Sequence, residues 1–359
     1  MKTPSRRMGA FLAAVIAGSC GSVLAQAEQP RQDRVHFFTY ENDAHYRTDR
    51  FYTSGIEFST KQANDSRGRM GHAFTGILCG WLDCDDSTPV TTQTNVGQLM
   101  YTPRDLSRPE PQPLDRPWAG LLYYEHSYAF LSPDQRVLTT LSGEIGVSGR
   151  LSLVEPSQKL VHRLLDRTIP AGWDNQIGGT LGLMASAERR TAREHLSAAL
   201  GHDVQLHTAT YWRLTAGTIQ TYAAAGVAVV IGKDLPRVSP PPPGIGNKLG
   251  REATDAAPIL TSCLAPWLRC TAFGSVEARV VAYNLFLDGR PGRNDPGVSK
   301  RTIVGDLVLG TRFDFPNSRS ASHGPWFLQL KMTRRSPEFR SSLPVPRHRV
   351  AAVTIGTEF

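Results

Sequence analysis

Across 359 residues, 40 Lys and Arg stand against 32 Asp and Glu, a formal charge of +8. That excess is modest, and the chain has no Gly-rich phosphate loop and no basic–aromatic groove, which sets aside nucleotide-phosphate and nucleic-acid binders. Beyond the first residues no apolar stretch approaches the roughly 20 residues that a membrane-spanning helix needs, so a helical membrane protein is excluded as well.

The N-terminus reads as a signal peptide over residues 1–27. Lys2, Arg6 and Arg7 form a positive leader, Met8 to Ile16 a short apolar core, and Val23-Leu24-Ala25-Gln26-Ala27 a small-residue cleavage site. Cys20 follows Ala17-Gly18-Ser19 and lacks the leucine of a lipoprotein signal. Removing a segment with three basic residues and no acid lowers the charge to +5. Such an excess suits a surface facing anionic lipid or lipopolysaccharide, and equally an ordinary solvated surface. Residues 28–359 then form one exported domain, either soluble or inserted as a β-barrel. The last ten residues favour the barrel. Ala351, Val353, Ile355, Thr357 and Phe359 share one face of an alternating run that ends on an aromatic residue, as closing strands of outer-membrane barrels do, although a soluble sandwich could also end on Phe. Four further cysteines lie as near pairs, Cys79 with Cys84 and Cys263 with Cys270. In an oxidising compartment two local disulfides are the natural reading, although four cysteines allow three connectivities.

Taken in order, alternating runs predict twelve antiparallel strands: Val35 to Glu41, Phe51 to Thr60, Asn95 to Tyr101, Leu121 to Phe130, Val137 to Val147 and Leu181 to Glu188 in the first half. Val204 to Leu214, Ile219 to Ile231, Phe273 to Leu287, Ile303 to Phe315, Phe327 to Met332 and Val350 to Phe359 complete the set. An even count is what a single-chain, transmembrane, up-and-down barrel requires. Simple parity then sends every loop that follows a rising strand to one rim. Those loops carry Asn42-Asp43, Tyr101-Thr102-Pro103-Arg104, Asp115-Arg116, Gln158, His162 and Trp173 to Gln176, and Thr53 begins a descending strand at the same rim. The opposite turns carry the cysteine pairs and the proline run at 239–244, and both termini fall on that side, the usual periplasmic one. The polar rim would therefore face the outer leaflet. Within its longest loop, Ser157 to Leu165 has helical composition. Gln158 and His162 are four apart and share a face, while Leu160, Val161, Leu164 and Leu165 are placed to pack against the barrel mouth.

These clusters resemble the lipid A 3′-O-deacylase (LpxR) family of Gram-negative outer membranes. The resemblance is carried by Asn42-Asp43, Tyr52-Thr53-Ser54-Gly55, Tyr101-Thr102-Pro103, Asp115-Arg116-Pro117-Trp118-Ala119-Gly120, Gln158 with His162, and Trp173-Asp174-Asn175-Gln176. Lys331-Met332-Thr333 and Ser336-Pro337-Glu338-Phe339 extend it nearly to the C-terminus. It implies a twelve-stranded barrel that removes the 3′-linked acyloxyacyl group of lipid A with the help of Ca²⁺. By the same resemblance His162 is the general base, Asn42 and Asp43 lie beside the calcium with Thr53, and Gln158 supports the histidine. One departure stands out. Some members carry an acid shortly after the histidine, where this chain has Arg167-Thr168 and offers Asp166 as the nearest substitute.

The residues suit that chemistry on their own terms. A histidine titrates near the working pH of an ester hydrolase. Asp43 and the Thr53 hydroxyl are hard oxygen donors of the kind Ca²⁺ takes. Arg104, Arg108 and Arg116 match phosphate oxygens on a diphosphorylated glucosamine headgroup. Each also has a plainer reading: a surface histidine, an Asn-Asp turn, an interfacial Trp118, an ordinary Asp115–Arg116 loop pair. Ser54 as nucleophile with His162 as its base is a further possibility. The remaining histidines, among them His36, His126 and His348, form no close ligand pair. The expectation is a monomeric, calcium-dependent outer-membrane hydrolase of lipopolysaccharide, surrounded by outer-membrane lipid and binding no nucleic acid. The alternatives are a non-catalytic barrel, porin or structural, and an outer-membrane phospholipase.

Overall fold

The computed structural model describes residues 34–46, 48–63, 90–201, 204–233, 235–238, 268–315 and 325–358. Twelve long strands run antiparallel to their neighbours: β1 (Arg34–Asn42), β2 (Phe51–Ala63), β3 (Val90–Thr102), β4 (Ala119–Leu131), β5 (Val137–Ser148) and β6 (Leu181–Ala192), then β7 (Val204–Gly217), β8 (Gln220–Gly232), β9 (Arg269–Asn284), β10 (Ile303–Phe315), β11 (Trp326–Arg335) and β12 (His348–Glu358). The sheet closes on itself. Val35 of β1 pairs with Glu358 of β12, and Met184 of β6 with Gly217 of β7, so no long edge is left unpaired. All twelve expected strands are present, mostly longer by a few residues. Three short additions escaped the sequence pattern: Ala198–Gly201, and the two-residue strands Ser299–Lys300 and Phe339–Arg340, which pair with each other.

Alternation along each strand separates two environments. Phe58, Val96, Tyr124, Ile145, Leu183, Leu214, Val276 and Ile355 point outward and are exposed. Glu57, Glu125, Glu144, Glu188, Arg213, Glu277 and Asp306 point inward and are buried. Apolar outside and charged inside is the pattern of a barrel solvated by lipid. The lumen is filled, not open. Arg190 and Arg213 converge on Glu188, and Arg213 also reaches Glu277 at 3.0 Å. Asp306 sits between Arg279 and Arg335, and Lys331 contacts Glu41 at 2.9 Å.

Toward the loop-bearing rim the filling becomes aromatic. Tyr52, Leu99, Tyr101, Leu121, Tyr123, Leu285 and Phe286 form one buried cluster. The ninth strand, expected to run to Leu287, stops at Asn284. There the Asn284 side chain accepts from the Phe286 amide (3.0 Å) and caps the short helix α2 (Leu285–Asp288). The turn drives Phe286 into the mouth, where it stacks on Tyr101 at 4.6 Å. The signal segment, the proline run, Cys79, Cys84 and Cys263 lie outside the described residues; Cys270, at the start of β9, is buried and disulfide-bonded.

Candidate functional site

The site is assembled where the β1–β2 loop meets the helix α1 (Val154–Leu164) carried by the β5–β6 loop. Helix α1 buries Val154, Gln158 and His162, one residue per turn down a single face. Val154 packs with Met100, Trp118 and Trp173, and Trp173 donates its indole N–H to Gln158 Oε1 at 2.8 Å. Gly172 permits the Trp118 indole to pack close against the turn before Trp173, because a Cβ there would lie 2.6 Å from Trp118 Nε1. Gln98 on β3 ties the loop to the wall by donating to the Ser152 carbonyl at 2.6 Å. The leucines of α1 do not pack against the barrel mouth as expected. Leu160, Val161, Leu164 and Leu165 are exposed, Leu164 by 75%. The helix is turned inside out relative to one in a water-soluble protein, because the indole pair and Gln158 satisfy its polar face inside.

His162 is fixed through both ring nitrogens. Nδ1 lies 2.6 Å from the Thr168 carbonyl, which can only accept, so Nδ1 carries a proton and Nε2 is the basic nitrogen of the neutral ring. Nε2 faces Asp49 Oδ2 at 3.3 Å. A cavity of about 160 Å³ opens beside it, lined by Tyr40, Asn42, Asp49, Thr53, Ser54, Gln158, His162 and Arg167. A second, more open recess of about 510 Å³ shares Asp49, His162 and Arg167 and adds Arg104, Asp166 and Thr168.

Asp43 is fully buried and organises the loop that carries Asp49. Its Oδ2 accepts from the Arg50 amide at 3.0 Å, its carbonyl takes the Tyr46 amide and the Thr48 hydroxyl, and its Oδ1 has no hydrogen-bond partner. Burial pushes the Asp43 carboxyl up to about 7, against the hydrogen bonds that lower it. Asp49 is also raised by burial, with His162 and then Arg167 pulling it back, and its Oδ1 is likewise buried without a partner. Asn42 accepts the Ala44 amide at 2.6 Å through its Oδ1, which leaves its amide N–H groups to donate. Thr53 sits in a bulge, since Tyr52 pairs with Tyr101 while Ser54 pairs with Met100, and its hydroxyl contacts Thr102 Oγ1 at 2.5 Å. Two residues earlier, Phe51 holds a left-handed φ of 66°, a strained conformation for a bulky residue, and it is locked by an edge contact with Phe339. Bulge and strain together re-aim the start of β2 toward the cavity.

The three arginines expected at the substrate separate. Arg116 is 1% exposed, bonds Glu338 at 2.6 Å and lies over the Tyr101 ring, so its guanidinium belongs to the lumen and does not reach the recess. Burial resists ionisation of Glu338, yet Arg116, then Arg335 and Arg279, hold its carboxyl down at about 2. Arg108 is exposed and lines neither cavity. Arg104 does line the open recess, although Asp115 and the Pro344 carbonyl hold it. Arg167, which sequence reasoning met only as a departure from the family pattern, lines both cavities. Asp49 was missed entirely; its signal was an acid just ahead of the Tyr-Thr-Ser-Gly strand start. Among the described residues no three His, Cys, Asp or Glu side chains form a metal-binding cluster, so a cation here would lean on neutral oxygens.

A closed twelve-stranded barrel with an apolar exterior, a charged filled lumen and one polar cleft at its rim defines an outer-membrane β-barrel protein. The family model of outer membrane protein LpxR matches residues 10–359, and the chain belongs to that family. Among solved structures, LpxR from Salmonella typhimurium superposes with a TM-score of 0.67 at 18% identity, covering 90% of this chain and 100% of that one. The β domain of the Bordetella autotransporter BrkA matches at a TM-score of 0.41 and 8% identity, over 92% of this chain and 98% of that one. No curated protein sequence matches the chain.

Proposed function

We propose that this protein is an outer-membrane lipid A deacylase that hydrolyses the ester of the 3′-linked acyloxyacyl group, with its cleft facing the outer leaflet. The observation that carries the reading is a histidine whose basic nitrogen faces a cavity lined by Asn42, Asp49, Thr53 and Ser54, with Val161 and Leu165 of the exposed apolar helix face also in its wall. The cavity supplies hydrolytic groups, and the leucines supply contact with acyl chains. Family membership and the paired acidic residues of the loop add to it.

In this mechanism His162 Nε2 takes a proton from water as the water oxygen bonds to the ester carbonyl carbon. The Asn42 amide donates to the carbonyl oxygen as negative charge develops there. Collapse of the tetrahedral centre breaks the bond to the sugar oxygen, which leaves with the proton returned by His162, giving a free 3′-hydroxyl and a carboxylic acid. Gln158 keeps the imidazole face of α1 against the wall through Trp173. Arg104 and Arg167, at the open recess, are placed for headgroup phosphates. Calcium fits the donor chemistry: the buried, unpartnered Asp43 Oδ1 and the Thr53 hydroxyl are hard oxygen donors. When bound, such a cation would supply Lewis-acid polarisation of the ester carbonyl.

The test is mass spectrometry of lipid A from cells expressing the wild type or His162→Ala, with and without chelation of divalent cations. Loss of one acyloxyacyl mass with the wild type alone, and only with free Ca²⁺, is expected. Unchanged lipid A from a correctly inserted wild-type barrel would overturn the reading and favour a phospholipase or a non-catalytic barrel. A porin is disfavoured by the paired charges and aromatic cluster that fill the lumen.

A further inference from the structure

We propose that Asp49 is the carboxylate partner of His162, a positioning residue that orients the imidazole and holds the positive charge formed on Nε2. The inference rests on the hydrolase reading above and deepens it by naming the acid that the helix loop lacks. That loop offers Arg167-Thr168 after the histidine, and the acid just before them, Asp166, lines only the open recess, in a left-handed turn with φ 51°. The nearest carboxylate comes instead from the β1–β2 loop, 113 residues away in sequence and 3.3 Å away in space.

Three observations support the assignment. With Nδ1 committed to the Thr168 carbonyl, Nε2 is the nitrogen left for chemistry, and Asp49 is the carboxylate on that nitrogen. A neutral Nε2 and an ionised Oδ2 are both acceptors, so the contact is satisfied only when one proton lies between them or when a water donates to both. A water that donates one hydrogen to Nε2 and the other to Asp49 Oδ2 has both hydrogens placed, which orients its remaining lone pair toward an ester carbonyl carbon. Second, the position of Asp49 is built. The buried Asp43 side chain holds the amide of Arg50, the next residue, and the Asp43 carbonyl holds the Tyr46 and Thr48 ends of the same loop. Third, Asp49 lines both recesses, so it stands at the junction where water and headgroup meet.

Other charged groups surround the pair and enter its titration. Arg167 faces it from the helix loop, and Tyr40 and Asp43 face it from β1 and the turn after it. Arg104 and Asp105 approach across the open recess from the loop after β3. Among the described charged groups only Asp49 contacts His162 Nε2, so its removal has an effect the others lack.

The experiment is a ring-proton titration of His162 by NMR, using refolded full-length barrel in detergent micelles, for wild type, Asp49→Asn and Asp49→Glu. An opposite charge within about 4–6 Å moves a titration midpoint by about one pH unit or more, so Asp49→Asn should move the His162 midpoint down by that amount. The acid limb of the deacylation pH profile should shift to lower pH with it, and Asp49→Glu should restore part of both. An unmoved His162 midpoint in a folded Asp49→Asn barrel would overturn the proposal. If Asp49→Asn does not fold, the wild-type ring signal decides, since a partner carboxylate gives His162 a second inflection at acid pH and its absence refutes the pairing. A wild type inert on lipid A but with the coupled titration would sink the deacylase reading and leave the pairing intact.

Discussion

The lumen and the rim use the same residue types and treat charge in opposite ways. In the lumen, Asp306 lies between Arg279 and Arg335, and Glu188 between Arg190 and Arg213. At the rim, Asp43 is buried and Asp49 half-buried, each with one buried oxygen lacking a hydrogen-bond partner, and the groups facing Asp49 are a histidine and a single arginine. Carboxylates that meet guanidinium groups fill and brace the barrel. Carboxylates left short of cations beside a histidine mark a candidate site.

The sharpest way to test the contrast is at the histidine. His162→Ala should lower deacylation by about 10²- to 10⁴-fold, the usual share of a general base, while the barrel keeps its folded mobility on unheated gels. A comparable loss of folding would merge the two regions. In the lumen the reverse is expected. Asp306→Ala leaves two buried guanidinium groups facing each other and should cost about 3–5 kcal/mol, read as a lower urea midpoint in detergent.

A pH series sharpens the rim side. The folded Asp43 carboxyl is raised from 3.8 to about 7, so the folded state holds a proton that the unfolded chain has lost in that interval. Cation-free protein should therefore lose stability as pH rises from about 4 to about 7. Calcium should reverse the loss at the upper end, where the carboxylate is ionised, and have little effect below. Melting temperatures with chelator and with Ca²⁺ would check this, and Asp43→Asn should abolish the difference. Glu338 acts in the opposite sense, but its contribution is complete above the unfolded 4.5 and fades only as pH falls toward about 2, outside the window. The smallest effect belongs to neither region. Arg150 and Asp174 pair at 2.8 Å with side chains 76% and 82% exposed, so Arg150→Ala should leave both melting temperature and activity unchanged.

Much of this was legible in the chain. Strand alternation is a local signal, since successive side chains of a strand face opposite sides, and it placed all twelve strands. Parity then brought Asn42, Thr53, Gln158 and His162 to one rim, where they line one cavity. Tertiary contacts decided the rest. Helix α1 turned its leucines outward because the Trp118–Trp173 pair and Met100 accept Val154 and satisfy Gln158, so the usual inference from hydrophobicity to burial failed. Arg116 went into the lumen because Glu338, 222 residues away, waits there beside Tyr101. Asp49 reached His162 because Asp43 folds the intervening loop onto the cleft. Periodicity depends on neighbours in sequence and can be read from it; which charge a buried group meets depends on neighbours in space, and only the closed barrel brings those together.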